Sequence, residues 1–257
     1  MGIRNYFYGR VSSKDQNENR QLDAIKKLDI DSRDVYMDKA SGKDFDRPEW
    51  NALKRSIRSG DVLFIKSIDR LGRNLYDILT TLELFKEKGV TVATCPASNL
   101  KLGSGVANVP LMLKKGVNVA LGTDGSASNN NLNMFKDLYL LSIISKGVYH
   151  DPTLIPTYTA LKIATVNGAA SQGRNDCGLV KTGYKADLIV LDMDTEHTVP
   201  SHDELANVVF SSQGSDVVLT MVDGKVLYKN GEYTTIDIEK VKYEAEKSAY
   251  RISGELK

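Results

Sequence analysis

Ser12 and Ser13 stand two and three places after Arg10, in the stretch YGRVSS (8–13). A serine on a turn between a strand and a helix can present its hydroxyl to a ligand, and an arginine beside it can bind and polarise a phosphate. Arg47, Arg70 and Arg73 follow later strand or turn positions, where parallel-sheet proteins hold their ligand-facing groups. Phosphoryl transfer needs neutralised phosphate oxygens, an in-line nucleophile and a stabilised leaving group, and these arginines with one serine can supply them without a metal. Taken one at a time, the same residues read as surface arginines and a helix N-cap serine. A second chemistry gathers around Asp124, in VALGTDG (119–125), just past the C-terminal end of a predicted strand. A carboxylate there can bind a metal or move a proton, and the plainer reading is a turn aspartate before glycine. His150, His197 and His202 all follow Asp124, no two are spaced as HxH, and surface loops are expected for them. Cys95 and Cys177 form no metal-type pair and are expected to be buried reduced thiols.

The elements that must position these groups alternate. Strands are predicted at 3–8, 34–37, 62–66 and 90–95, with helices over 19–28, 48–58 and a segment carrying Leu75, Ile78, Leu79, Leu82 and Phe85. Pro48 suits a first helical position, and Gly89 supplies a stop. This alternation implies a mostly parallel sheet covered by helices, and all four strands are expected in it. The pattern continues with a helix over 106–115, a strand over 117–121 and a helix over 131–145. In that last helix Leu132, Phe135, Leu138, Leu141 and Ile144 form the apolar side. A further helix is predicted over 156–167. Strands then dominate, at 187–192, 217–222 and 225–228, with Asp223-Gly224 as a hairpin turn between the last two. A charged amphipathic helix over 238–253 follows.

Of the 257 residues 41% are hydrophobic and 26% charged, ordinary for a globular protein. No apolar run approaches a membrane span and the N-terminus lacks a signal-peptide core, so no membrane partner and a cytoplasmic location are expected. Net charge is +1, which does not announce a nucleic-acid binder. Residues 1–90 carry 18 Lys and Arg against 15 Asp and Glu, too slight an excess to decide anything.

Four spaced motifs, YGRVSS (8–13), DKASG (38–42), DRP (46–48) and DRLGR (69–73), together resemble the catalytic domain of the serine recombinases, the resolvase/invertase family. The resemblance implies that Ser12 is a nucleophile forming a phosphoserine link to DNA. It implies active-site places for Tyr8, Arg10, Gln21, Asp38, Ser41, Arg47, Asp69, Arg70 and Arg73, with Gly42 completing the loop motif. That chemistry uses no cofactor. The family's long dimerisation helix and DNA-binding region do not follow here, so DNA is expected as a weak, non-specific partner and a homo-oligomer as an open possibility.

From residue 95 the text changes. CPASNLKLGSG (95–105), LGTDGSASNNN (121–131), NGA (167–169), KADLIVLD (185–192) and VDGKVLYKNGEY (222–233) resemble the C-terminal part of the amidohydrolases that deaminate methylthioadenosine and S-adenosylhomocysteine. The resemblance implies that Asp124 is the last metal ligand of that barrel, isolated here from the ligands of earlier strands. A histidine frequent before CPASN is replaced by Thr94. Zinc or iron is therefore expected only if another chain completes the site.

The expected fold is α/β: a resolvase-like, mostly parallel sheet with helices over about 1–92, a partial (β/α) barrel segment over 93–183 and a strand-rich subdomain with a terminal helix over 184–257. EKGVTV (87–92) fits either family, so the join keeps the strand–helix period. Three functions compete: DNA strand cleavage and rejoining by Ser12, metal-dependent deamination, and a fusion impaired in both and catalytically inert.

Overall fold

A computed structural model describes residues 4–11, 30–39, 47–58, 60–65 and 75–255. The chain divides into two compact units, residues 1–175 and 176–257.

In the first unit, β1 (Asn5–Val11) is the centre of a three-stranded parallel sheet, between β2 (Val35–Lys39) and β3 (Val62–Ile65). Tyr8 lies opposite Tyr36 on one side and Ile65 on the other, and Arg10 lies opposite Asp38. Helix α1 (Pro48–Ser56) begins with proline, whose missing N–H costs nothing there, and buries Trp50 and Leu53. Helix α2 (Leu75–Glu87) buries Leu82 and Phe85. It stops at Gly89, whose φ of +63° lets Gly89 N–H donate to Lys86 O and Val90 N–H to Phe85 O. The same device recurs at Gly116 (φ +74°), where Val117 N–H donates to Met112 O.

These two turns launch β4 (Thr91–Thr94) and β5 (Asn118–Leu121), which pair parallel with Thr91 opposite Asn118. The single-sheet expectation is corrected here: among the described residues β4 pairs with β5 and not with β1–β3. Matching helix stops bring β4 and β5 into register, and the Asn118 amide donates to Thr91 Oγ1 at 2.8 Å across the pair. Between them run α3 (Pro96–Lys101), which was not foreseen, and α4 (Val109–Lys114). Helices α5 (Met134–Tyr149), α6 (Thr157–Ala164) and α7 (Val166–Ser171) complete the unit. Asn167, from NGA, donates its amide to Val119 O at 2.8 Å and so satisfies a β5 carbonyl.

The buried face of α5 differs from the expected apolar stripe. It consists of Asp137, Leu138, Leu141, Ser142 and Ser145, whereas Leu132 lies before the helix and is exposed. The helix is rotated so that its polar side chains face inward, where they have partners: Ser142 Oγ donates to Ile155 O at 3.0 Å.

The second unit holds an antiparallel sheet in the order β6 (Leu188–Leu191), β7 (Val217–Val222), β8 (Lys225–Lys229), β9 (Glu232–Tyr233). Asp223 and Gly224 have φ of +50° and +77°, which matches the twist of a two-residue hairpin. Asn230-Gly231 repeats that chemistry before β9. Helix α8 (Glu204–Phe210) precedes β7, and α9 (Ile238–Glu255) follows β9. Among the described residues no helix is long and apolar enough to cross a membrane.

Candidate functional site

Two groups of side chains occupy the ends of parallel strands. Beyond β5, Asp124 takes φ +62°, which turns its carboxylate back over its own loop. Gly125 N–H donates to Asp124 Oδ1 at 2.8 Å, and the Ser98 hydroxyl donates to Oδ2 at 2.8 Å. Ser98 is buried on α3, directly after β4, so the two adjacent strand ends each contribute one partner. Burial works against charge on Asp124, but the Ser128 and Ser98 hydroxyls and the Gly125 N–H outweigh it and hold the carboxyl below its usual range. The group is thus an ionised acceptor at neutral pH.

Cys95, between β4 and α3, lies beside this site. A Cβ on Gly122 would come 3.2 Å from Cys95 Sγ, so glycine lets the strand end approach the thiol. Burial, and then the charge of Asp124, push the Cys95 thiol up to about 11, and it stays protonated. Cys177 is buried as expected, whereas Cys95 is only half-buried, and neither is in a disulfide. Thr94 is buried at the end of β4.

Behind Asp124 lies a layer that the sequence did not reveal. Asp137 on α5 has no exposed surface; its Oδ1 accepts from Ala97 N–H at 2.9 Å and its Oδ2 from the Asn129 amide at 2.9 Å. The same Asn129 amide donates to Thr123 O at 3.0 Å. On the exposed side Lys101 Nζ bonds Asn130 Oδ1 and, at 3.3 Å, Ala127 O. The available signal was an acid at the fourth position of a helix capped by Asn133, directly before Leu138 and four residues before Leu141.

A catalytic zinc takes about three protein ligands. Both oxygens of Asp124 are already engaged, and among the described residues no three His, Cys, Asp or Glu side chains gather into a metal-binding group. The described residues therefore do not by themselves fit a complete metal site.

The second group sits on the three-stranded sheet. Tyr8 is fully buried and donates its hydroxyl to Asp38 Oδ2 at 2.9 Å. Asp38 also accepts from Glu49 N–H and Trp50 N–H, each at 3.1 Å. Arg47, at the N-cap place of α1, makes no side-chain capping bond, so Asp38 caps the helix from the neighbouring strand. The Tyr8 and Trp50 rings lie 4.9 Å apart, and Arg47 is 8% exposed. Tyr8, Asp38 and the start of α1 are thus brought together, and the first two are held by structural bonds. Arg10 is described by its backbone alone. Ser12, Gln21, Ser41, Asp69, Arg70 and Arg73 lie outside the described residues, as does the expected approach of Ser12 to the arginines.

In the second unit His197 lies in a turn, as expected, but is half-buried and engages a buried partner. Its Nε2 lies 2.9 Å from Asp216 Oδ2, which also accepts from Gln213 N–H at 2.8 Å. His150 and His202 are exposed, with His150 ending α5 at φ +53°.

Two family models match the chain: the amidohydrolase family over residues 59–227, and the resolvase N-terminal domain over residues 5–106. They overlap across 59–106, the stretch that contains the join. A 5-methylthioadenosine/S-adenosylhomocysteine deaminase from Acetivibrio thermocellus is 52% identical over 170 residues, which are 66% of this chain and 39% of that protein. A 5'-deoxyadenosine deaminase from Methanosarcina mazei is 46% identical over 168 residues, 65% of this chain and 39% of that protein. The chain thus spans about two fifths of the length of these relatives. Among solved structures, an adenosine deaminase from Xanthomonas campestris with bound zinc superposes with a TM-score of 0.74 at 26% identity, over 97% of this chain and 57% of that one. Atrazine chlorohydrolase from Arthrobacter aurescens, complexed with zinc, shares the fold with a TM-score of 0.67 at 22% identity, over 91% of this chain and 47% of that one. The chain belongs to the amidohydrolase family, and its N-terminal part carries a resolvase N-terminal domain match as well.

Proposed function

We propose that the chain carries the C-terminal half of a purine-nucleoside deaminase site of the methylthioadenosine/S-adenosylhomocysteine type, and that the site works only when another chain supplies the remaining ligands for zinc or iron. The observation that carries this reading is the ionised Asp124 carboxylate beyond β5, oriented by Ser98 and Gly125. Hydrolytic deamination puts a water oxygen where an amino group was, and a fixed carboxylate can accept the proton that water gives up. The 52% identity to a deaminase named for those two substrates, and the bound zinc of a structural neighbour, support the substrate class and the metal. Metal analysis and a deamination assay test it. The purified chain should hold no stoichiometric zinc or iron and should not deaminate either substrate. Co-expression with the N-terminal part of the Acetivibrio thermocellus relative should restore metal and turnover, and Asp124→Ala should abolish both. Failure of that complementation overturns the proposal, and so does near-stoichiometric metal in the chain alone.

A second reading is supported by the resolvase match over residues 5–106: a DNA strand-cleaving lobe with Ser12 as nucleophile and no cofactor. It implies weak, salt-sensitive DNA binding without productive recombination and a cytoplasmic location, and it leaves the oligomeric state open. A covalent adduct on a nicked substrate, lost on Ser12→Ala, would support it. No adduct, together with failed complementation, would leave the inert fusion.

A further inference from the structure

The mechanism assigned to Asp124 requires its loop to hold still, and the residues that do this are not on the loop alone. We infer that Asp137 is the positioning residue of the Asp124 site, acting through Asn129 and Ala97; the inference rests on reading Asp124 as the site residue. The connection is continuous. Ala97 N–H donates to Asp137 Oδ1 at 2.9 Å, the Asn129 amide donates to Asp137 Oδ2 at 2.9 Å, and the same amide nitrogen donates to Thr123 O at 3.0 Å. Ala97 and Thr123 are the chain neighbours of Ser98 and Asp124, whose side chains meet at 2.8 Å.

The geometry explains why a carboxylate is needed. Asp137 must accept two bonds, one from each side, and offer no donor to either. An asparagine there keeps one acceptor but turns an NH2 toward either Ala97 N–H or the Asn129 amide, so one of the bonds becomes a donor–donor contact. Asn129, in turn, spends its two amide hydrogens on Asp137 and on Thr123 O. Both residues are fully or nearly buried, so water cannot replace the lost partner without opening the packing. Gly125 N–H is the far end of the chain, because its bond to Asp124 Oδ1 exists only while the loop keeps its left-handed turn.

Amide hydrogen exchange and carboxyl NMR on the intact chain test this. In Asp137→Asn, exchange at Gly125 and Ala97 should rise about 10-fold or more, the loss expected when a bond to a buried charged acceptor is broken. The Asp124 carboxyl 13C resonance should move at the same fixed pH. Amides of the β4–β5 ladder, such as Val119, should keep their rates. Lys101→Ala, which unclips the same loop from the exposed side, should raise Gly125 exchange by less and leave Ala97 alone. A role in core packing alone predicts that Gly125 and Val119 rise together and that the Asp124 resonance stays; either result overturns the inference. If Asp137→Asn does not fold, Asn129→Ala reads the same chain from its other member. The deaminase reading fails on metal and turnover, and neither enters these measurements.

Discussion

Replacing Asp38 should unfold the N-terminal sheet far more readily than removing any one of its partners. The carboxylate is 3% exposed and accepts three bonds: from the Tyr8 hydroxyl and from two N–H groups in the first turn of α1. Each bond to a charged acceptor contributes about 1.5–3 kcal/mol, but the three are shared by one group and do not add in full. Asp38→Ala strips the cap from α1, worth about 1–2 kcal/mol, and takes the charged acceptor from the buried Tyr8 hydroxyl, worth about 1.5–3 kcal/mol. The expected loss is about 3–5 kcal/mol. Tyr8→Phe removes one donor and leaves both amides on Asp38, so it should cost only about 1.5 kcal/mol, the low end of that range. Asp38→Asn should fall between them. The assay is built into the protein. Trp50 is the one tryptophan of the chain, it is 5% exposed, and it is the residue whose N–H Asp38 holds. Urea unfolding followed by its fluorescence therefore reports this region directly. With a slope of about 1–3 kcal/mol per molar urea, the Asp38→Ala midpoint should fall by on the order of 2 M. A shift equal to that of Tyr8→Phe would refute the reasoning. It would show that Asp38 is spare to the fold and free for a role in chemistry.

Two other outcomes follow from the charged groups. Cys95, with its thiol pushed up to about 11 by burial and by Asp124, should resist alkylation at pH 7.5 in the native chain and react once the chain is unfolded; stoichiometric labelling within minutes would contradict the packing at Gly122. Burial disfavours charge on Asp216, but the His197, Gln213 and Ser215 bonds outweigh it and depress its folded value. A depressed carboxyl contributes stability that is present above its unfolded value near pH 4 and is lost as pH falls through the folded one. The acid limb of the melting-temperature profile should therefore be shallower in Asp216→Asn, and an unchanged limb would exclude Asp216 as its source.

Local chemistry made much of this chain legible in advance. Gly89 ends α2 and Asp223-Gly224 turns β7 into β8 because a positive φ is a property of the residue itself. Pro48 starts α1 for a similarly local reason, and the strand and helix periods place most elements within a few residues. Both family matches were visible as ordered motifs. What tertiary structure decided is every choice of partner. The strand period of β4 is compatible with either neighbour, and the choice appears only in the parallel ladder with β5 and the Asn118–Thr91 bond across it. Asp38 reads as a loop motif residue, yet its bonds go to amides eleven and twelve positions on and to a hydroxyl thirty positions back. Asp137 hides inside a helical stripe, and its meaning comes from Ala97, forty residues earlier. His197 gains its buried carboxylate partner nineteen residues later. Periodicity records which side of an element avoids water; it carries no record of which buried acceptor will meet which donor, because that is settled by packing in three dimensions.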